Sequence, residues 1–547
     1  MTGKSAAAAA LAAAIFETQI KSPAEWEARY PPRDLPEGAM VTRFAPSPTG
    51  FMTLGNLLGA FVDRLLADLS GGVFFLRLDD TDKKRETEDG VSGIVDGMRA
   101  FGLDIDEGVT GLGEERGDYG PYTQSQRKEI YHTYAKILVE QGLAYPCFCS
   151  PEDLDSLRGE QEQAGVNKGY YGKWAKCRDL SIEGQIERLR AGEPYTLRLR
   201  SPGDASRKIV VQDLIRGKLE LPEYDMDVVL LKADGMPTYH LANAVDDHLM
   251  RVTHVIRSDE WLASLPLHAQ LAWLLGFKGP KYAHIAPMMK LDAETGGKRK
   301  LSKRKDPEAA VSALAQAGYP NAALHEYLVT LLNSNFEDWR RANPGLPLSK
   351  FPFSLKKMSA SGALFDQQKL EDVSKTVISR MGADQVCEQA LVWANTYDPE
   401  LASLLSNDPA YATAMLSIDR GGKKPRKDIA RWEQLRELYS YFYDSLFEKK
   451  RSDGAAPQVL QAYLAVYDPD DDKDAWFAKI KSICEPLGYC PDVKAYKADP
   501  EAWKGHVGDV SGAIRVAVTG RENTPDLWAV MRVIGEVRVR GRMQASI

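Results

Sequence analysis

The chain predicts an α/β domain built on a parallel sheet, followed by an almost wholly helical half. Three observations carry this. From Val41 onward, short apolar runs bounded by Pro, Ser and Gly alternate with longer amphipathic segments. Leu57, Leu58, Phe61, Leu65, Leu66 and Leu69 recur at helical spacing between two such runs, and Gly71-Gly72 ends them. Beyond about Pro307, Trp, Tyr and Leu fall on helical faces and strand signals disappear.

The elements follow in order. Ser5–Phe16 is Ala-rich, and Glu17, Lys21 and Glu25 continue it at helical spacing, so residues 1–40 read as a helical extension rather than a secretion signal. It closes on the connector Tyr30-Pro31-Pro32-Arg33. Val41–Phe44 is a strand, Ala45–Gly50 a loop, Leu54–Leu69 a helix and Val73–Leu78 a second buried strand, a unit of βαβ length with the right-handed crossover this implies. Helices are expected at Glu86–Phe101 and Arg127–Glu140, completing the first half of the domain over 41–145. Residues 146–227 mix a Cys cluster with a Thr196–Arg200 strand and read as an α+β insertion. The second half, 228–306, resumes with strands at Val228–Leu231 and Val252–Ile256, helices at Tyr239–Leu249 and Leu262–Gly276, and a basic loop at Lys298–Lys305. The expected winding is Rossmann-like, with helical regions at 307–375 and 376–547 after it.

Composition narrows the classes. The 547 residues carry a net charge of −7, with 44% apolar and 27% charged residues, an ordinary globular profile. This excludes a disordered or collagen-like chain and a globally basic nucleic-acid binder, though not a local basic face. With no apolar run of 18 residues, no membrane-spanning helix is expected. Cys147, Cys149 and Cys177 fall close together, which points to metal before disulfides, whereas Cys387, Cys484 and Cys490 read as core residues.

Two segments carry chemistry. Arg43–Asn56 joins a strand end to a helix start, where unpaired amides and the helix dipole suit a phosphate. Gly55 lacks the Cβ that would hold a nucleotide off the backbone. The bland alternative is a Pro-stiffened turn with Thr53 as N-cap. In Lys298–Lys305, six of eight residues are cationic, and Gly296-Gly297 precede them. Such a loop can neutralise charge developing on a triphosphate, or it can be a solvated charge run.

Taken together, these segments resemble the bacterial glutamyl-tRNA synthetases of class I. Arg43–Asn56 is similar to the family's "HIGH" segment and Lys300-Leu301-Ser302-Lys303-Arg304 to its "KMSKS" loop. Leu76–Asp82, Gly120–Arg127, Pro237–Asn243, Val245–His248, Val255–Trp261 and Arg515–Arg521 resemble further family segments in the same order, so the resemblance spans about residues 41–547. It implies ATP-dependent ligation of L-glutamate to glutamate tRNA through an adenylate, with Mg²⁺ accompanying ATP and anticodon binding by the all-α region. Arg43 and Arg257 would each grip a carboxylate in a fork, Asp79 would hold the ammonium, and Ser47, Tyr239 and Asn243 would supply neutral hydrogen bonds. ATP would be bound by Gly55, Asn56, Glu260, Trp261, Lys300 and Lys303, with Thr53, Gly55, Asn56, Lys300, Ser302 and Lys303 serving catalysis, and the resemblance also implies a cytoplasmic monomer.

Two positions depart from the family pattern: Thr53 stands where its signature opens with His, and Asp79 where it usually has Glu. Thr53 keeps open a weakly active or non-enzymatic tRNA-binding paralogue. An enzyme glutamylating a modified tRNA base resembles only the catalytic half. The resemblance also implies a structural Zn²⁺ on Cys147, Cys149 and Cys177, with Tyr171 or Tyr170 offered as the fourth ligand and ordinary buried thiols as the alternative. Lys423–Lys427, Arg538, Arg540 and Arg542 are candidate phosphate contacts, with a solvated face as the alternative for each.

Overall fold

The computed structural model describes residues 3–17, 19–48, 52–82, 87, 89–292, 294–302, 305–448 and 456–547. The chain divides into two compact units, 1–313 with 328–365 and 314–327 with 366–547.

In the first unit, β1 (Val41–Phe44), β2 (Val73–Leu76) and β3 (Glu107–Gly111) are parallel neighbours, and β4 (Glu114–Arg116) is antiparallel to β3. β5 (Ala144–Cys147), β6 (Thr196–Leu199) and β9 (Val229–Leu231) form a separate antiparallel sheet. β7 (Lys208–Asp213) and β8 (Gly217–Pro222) lie within the stretch read as an insertion, yet they extend a sheet of β10 (His254–Ser258) and β11 (Lys281–Ile285), in the order β10-β11-β7-β8. The two parallel blocks meet where the Thr253 amide donates to the Val41 carbonyl at 3.0 Å. A hairpin, β12 (Met289–Leu291) with β13 (Lys298–Lys300), follows.

Among the helices of the described residues that accompany these strands are α1 (Gly3–Ile15), α2 (Pro23–Arg29), α3 (Leu54–Ser70), α4 (Gly90–Ala100), α5 (Lys128–Glu140), α6 (Pro151–Gln163), α7 (Ile182–Arg190), α8 (Tyr239–Leu249) and α9 (Leu265–Leu274). α3 is the helix the Leu periodicity predicts, burying Leu57, Leu58, Phe61 and Leu66 and ending on Gly71 in the left-handed region. α4 starts at Gly90, where a Cβ would meet the Pro48 carbonyl oxygen at 2.4 Å, so the loop after β1 rests directly on the helix backbone. The expected start of that helix at Glu86 lies outside the described residues.

The N-terminal extension packs on the first unit. α1 lies against α5 and α7. In α2, Trp26 Nε1 donates to Thr133 Oγ1 at 3.1 Å, and Glu27 accepts from His248 and Arg251 at 2.6 Å each. Among the described residues, no helix is long and apolar enough to cross a membrane.

The second unit is helical, with a continuous core that includes Trp432, Tyr441, Phe442, Ile514 and Val518. Both halves therefore have the predicted fold class.

Candidate active site

The loop after β1 and the C-terminal ends of β10 and β11 enclose a cavity of about 800 Å³. It sits where the strand order reverses between β1 and β10, the place an open parallel sheet leaves for a ligand. Arg43, Ser47, Thr53, Gly55, Asn56, Asp79, Tyr239, Arg257, Glu260, Trp261 and Lys300 all line it.

The floor is a buried charge network. Arg43 donates from Nε to Asp247 Oδ1 at 3.1 Å and from Nη2 to Oδ2 at 3.4 Å. Arg77, fully buried, donates to the same Oδ1 at 2.9 Å and to both oxygens of Asp79, at 2.8 and 3.3 Å. Burial pushes the Asp79 carboxyl up to about 6, against the pull of Arg77. Burial also works to raise Asp247, but two guanidiniums outweigh it and hold that carboxyl below its ordinary range.

Arg257 is arranged differently. It too is buried, yet its Nε and Nη1 donate to ring nitrogens of His284 and His268, at 2.9 and 2.8 Å, and Nη2 has no hydrogen-bond partner among the described residues. Tyr239 lies between the two arginines' fields and packs on Trp261 with ring centroids 4.4 Å apart.

The rim is looser. Thr53 is the N-cap of α3: its hydroxyl donates to Asn56 Oδ1 at 2.9 Å and accepts from the Asn56 amide at 3.4 Å, while the Thr53 amide donates back to Oδ1 at 3.1 Å. The bland cap reading is thus right for Thr53, on a helix start that faces the cavity. A Cβ on Gly55 would touch only Thr53 Oγ1, at 3.6 Å, so the protein's own packing does not require glycine there. Lys300 Nζ reaches Glu260 Oε1 at 2.5 Å, with both side chains more than half exposed.

The catalytic-domain model for class I tRNA synthetases (E and Q) matches residues 39–372, and an anticodon-binding-domain model matches 500–547. A glutamate–tRNA ligase of Clostridium perfringens strain 13 is 47% identical over 543 residues, covering 97% of this chain and 99% of the relative. Another, from Acetivibrio thermocellus, is 50% identical over 521 residues, covering 94% and 95%. The crystal structure of a glutamate tRNA ligase from Elizabethkingia meningosepticum superimposes with a TM-score of 0.74 at 26% identity, covering 93% of this chain and 99% of that one. The chain belongs to the glutamate–tRNA ligase family of class I synthetases.

In this synthetase two expected site residues stand apart from the cavity lining. Asn243, one turn along α8, donates from Nδ2 to the Tyr239 hydroxyl at 3.2 Å and so sits behind that ring. Ser302 donates its amide to Asp306 at 2.9 Å and accepts the Lys305 amide at 3.3 Å. Lys303 lies outside the described residues. Arg299, within the basic loop, is tied to Asp306 at 2.6 and 2.7 Å and to Asp292 at 3.1 Å, which shapes the loop.

Sequence reasoning did not single out Arg77, Asp247, His268 or His284, nor Asp63, whose buried carboxyl lines the cavity and is pushed well up by burial. A cation inside the apolar run Val73–Leu78, and paired acids between Val245 and Leu249, were the available signals. Gln124 and Arg127, from the family-like segment Gly120–Arg127, are buried and hold Asp246 at 2.9 and 2.7 Å. They brace α8 from below.

The synthetase's Cys cluster is real: ligand atoms of Cys147, Cys149 and Cys177 all lie within 4.8 Å of one another. Cys149 and Cys177 Sγ are 3.7 Å apart, close to the roughly 3.8 Å edge of a tetrahedron with bonds of about 2.3 Å to sulfur. Tyr170, rather than Tyr171, faces them, its hydroxyl 3.4 Å from Cys147 and 3.3 Å from Cys149. Tyr171 instead donates to the Asn167 carbonyl at 2.7 Å.

The tail arginines are committed internally. Arg542 donates to the carbonyls of Tyr441 and Val518, Arg540 to that of Tyr467 and to Glu536, and Arg538 to Tyr411 and Phe442. Arg542 is buried on carbonyls near helix ends, which overturns the phosphate-contact reading for it, whereas Arg538 and Arg540 keep part-exposed side chains. Arg426 likewise pairs with Asp428 at 2.7 Å, leaving Lys423 and Lys424 exposed. The helical unit also holds a cavity of about 430 Å³, lined by Arg515, Lys473, Phe477 and Thr524 among others.

Proposed function

We propose that this synthetase ligates L-glutamate to glutamate tRNA, using MgATP and releasing pyrophosphate and AMP. The observation that carries the reading is the cavity floor, where Arg257 has no carboxylate partner among the described residues, while Arg43 on the same cavity is held by Asp247. A dicarboxylate amino acid brings the anion that Arg257 lacks.

Activation needs no general base. The α-carboxylate of glutamate attacks the α-phosphorus of ATP, the bond from that phosphorus to the α,β-bridging oxygen breaks, and pyrophosphate leaves with that oxygen. The protein contributes orientation and charge. Arg257 and Arg43 orient the carboxylates, and Asp79 at the mouth of its pair with Arg77 receives the ammonium. Ser47 and Tyr239 add neutral contacts, with Asn243 orienting the Tyr239 hydroxyl. The start of α3 at Thr53, Gly55 and Asn56 cradles the nucleotide, and Glu260 and Trp261 flank it. Lys300 leaves Glu260 to meet the phosphates, joined by Lys303 and by the backbone around Ser302. The tRNA's terminal ribose hydroxyl then attacks the adenylate carbonyl, and AMP departs with its phosphate.

In this reading the sheet β5-β6-β9 with α6 and α7 receives the acceptor stem, 307–375 the adjoining stem, and 376–547 the anticodon. The three thiols fit Zn²⁺ by spacing and donor chemistry, with the Tyr170 hydroxyl closing the set. Zinc there would cross-link the insertion and take no part in the reaction. One zinc per chain in purified protein is expected, and a sub-stoichiometric content overturns that site.

ATP–pyrophosphate exchange tests the activity. It should require glutamate with tRNA present, and no exchange under those conditions overturns the reading. Charging glutamate and glutamine tRNAs in parallel tests the tRNA.

A further inference from the structure

Three imidazoles, two of them touching Arg257, form a wired chain around it. His284 Nε2 accepts from Arg257 Nε at 2.9 Å and therefore carries no proton. Its Nδ1–H donates to Asp213 Oδ2 at 2.7 Å. Asp213 is held in turn by the amides of His284, Ile215 and Arg216 at 3.1, 2.9 and 2.8 Å. On the other side His268 Nδ1 accepts from Arg257 Nη1 at 2.8 Å, so its Nε2–H donates to His240 Nδ1 at 3.0 Å. Both imidazoles facing the guanidinium must be neutral, because a protonated ring would oppose N–H to N–H. Burial, with the neighbouring guanidinium adding to it, holds both below the ordinary histidine range.

A buried arginine is usually answered by a carboxylate. Arg43, on the same cavity, is answered by Asp247. Arg257 has two of its three nitrogens fixed by uncharged acceptors, and Nη2 is buried without a hydrogen-bond partner among the described residues. We infer that His268 and His284 are positioning residues that aim Arg257 while leaving its charge unspent, reserving it for the side-chain carboxylate of the substrate and so favouring glutamate over glutamine. An amide oxygen would meet the same donor without the charge. This rests on the glutamate-activation reading above.

The experiment uses the full chain with His268→Glu, His268→Gln and His268→Leu. Glutamate and ATP KM are measured in tRNA-supported exchange, and the rise in melting temperature on adding glutamate or glutamine is measured without turnover. His268→Glu supplies the missing carboxylate: glutamate KM should rise at least about 100-fold and ATP KM less than about threefold, with the glutamate-specific melting shift lost. His268→Gln keeps a neutral acceptor and should stay within about fivefold of the parent. His268→Leu removes the acceptor and should fall between them, which keeps the inference testable should the Glu variant not fold. Equal glutamate KM for Gln and Leu, an unchanged KM in His268→Glu, or parallel rises for glutamate and ATP would each overturn it. Absence of exchange in the parent overturns the activity alone, and the melting shifts still decide the histidines' role.

Discussion

The floor and the rim of the cavity are built on opposite principles. On the floor, Arg43, Arg77, Asp79 and Asp247 are buried and hold one another at 2.8–3.4 Å. At the rim, Lys300 and Glu260 meet in solvent, and Thr53 and Asn56 cap a helix at the surface. A buried network cannot rearrange cheaply, so it is set before the ligand arrives. An exposed pair can exchange partners at little cost and suits the group that must move to the phosphates. The amino-acid side is thus preorganised, and the nucleotide side is completed on binding.

The largest effects should separate charge that stabilises from charge that waits. Arg77→Leu strands Asp79 in the interior and leaves Asp247 to Arg43 alone, and it should cost about 3–5 kcal/mol, read by denaturant unfolding. Arg257→Leu removes a cation with no counter-ion. It should unfold within about 1 kcal/mol of the parent and yet lose glutamate-dependent exchange by at least about 100-fold. Equal destabilisation by both would break the contrast.

At the rim, Lys300→Ala should leave the melting temperature unchanged and slow exchange about 100-fold, since it removes only an exposed pair from the resting state. A large loss of stability there would show the rim to be as structural as the floor.

A smaller effect comes from pH. Asp79 titrates near about 6 when folded, above the ordinary range near 4. The folded state therefore binds the extra proton between those values, and stability falls as pH rises through that window. The ammonium contact needs the carboxylate, so glutamate KM should rise about tenfold per unit as pH drops below 6. Asp79→Asn should flatten both profiles.

The smallest effect is expected from Gly55→Ala. Its Cβ meets only Thr53 Oγ1 at 3.6 Å, so stability should hold or rise slightly while ATP KM increases a few-fold. An unchanged ATP KM would place the nucleotide elsewhere.

Much of this site was legible in the chain. Arg43, Gly55, Asp79, Tyr239, Arg257, Glu260, Trp261 and Lys300 sit in short segments at strand ends, helix starts or a basic loop, and all line one cavity. What these groups face was not legible. Arg542 looked like a phosphate contact because an exposed and an internally paired arginine read alike, and its partners Tyr441 and Val518 lie 101 and 24 residues away. Tyr170 and Tyr171 are adjacent, and only the path of the backbone decides which hydroxyl reaches the thiols.

The local pattern by itself determined the strand–helix alternation, the helical C-terminal half and the segments bearing the chemistry, because periodicity and turn residues act over a few positions. Tertiary structure alone decided the electrostatics. It brought Asp247 to Arg43 across 204 residues, laid β7 beside β11 so that Asp213 reaches His284, and left Arg257 among histidines instead of acids. Pairing and burial set a charge's availability, and both arise from contacts distant in sequence.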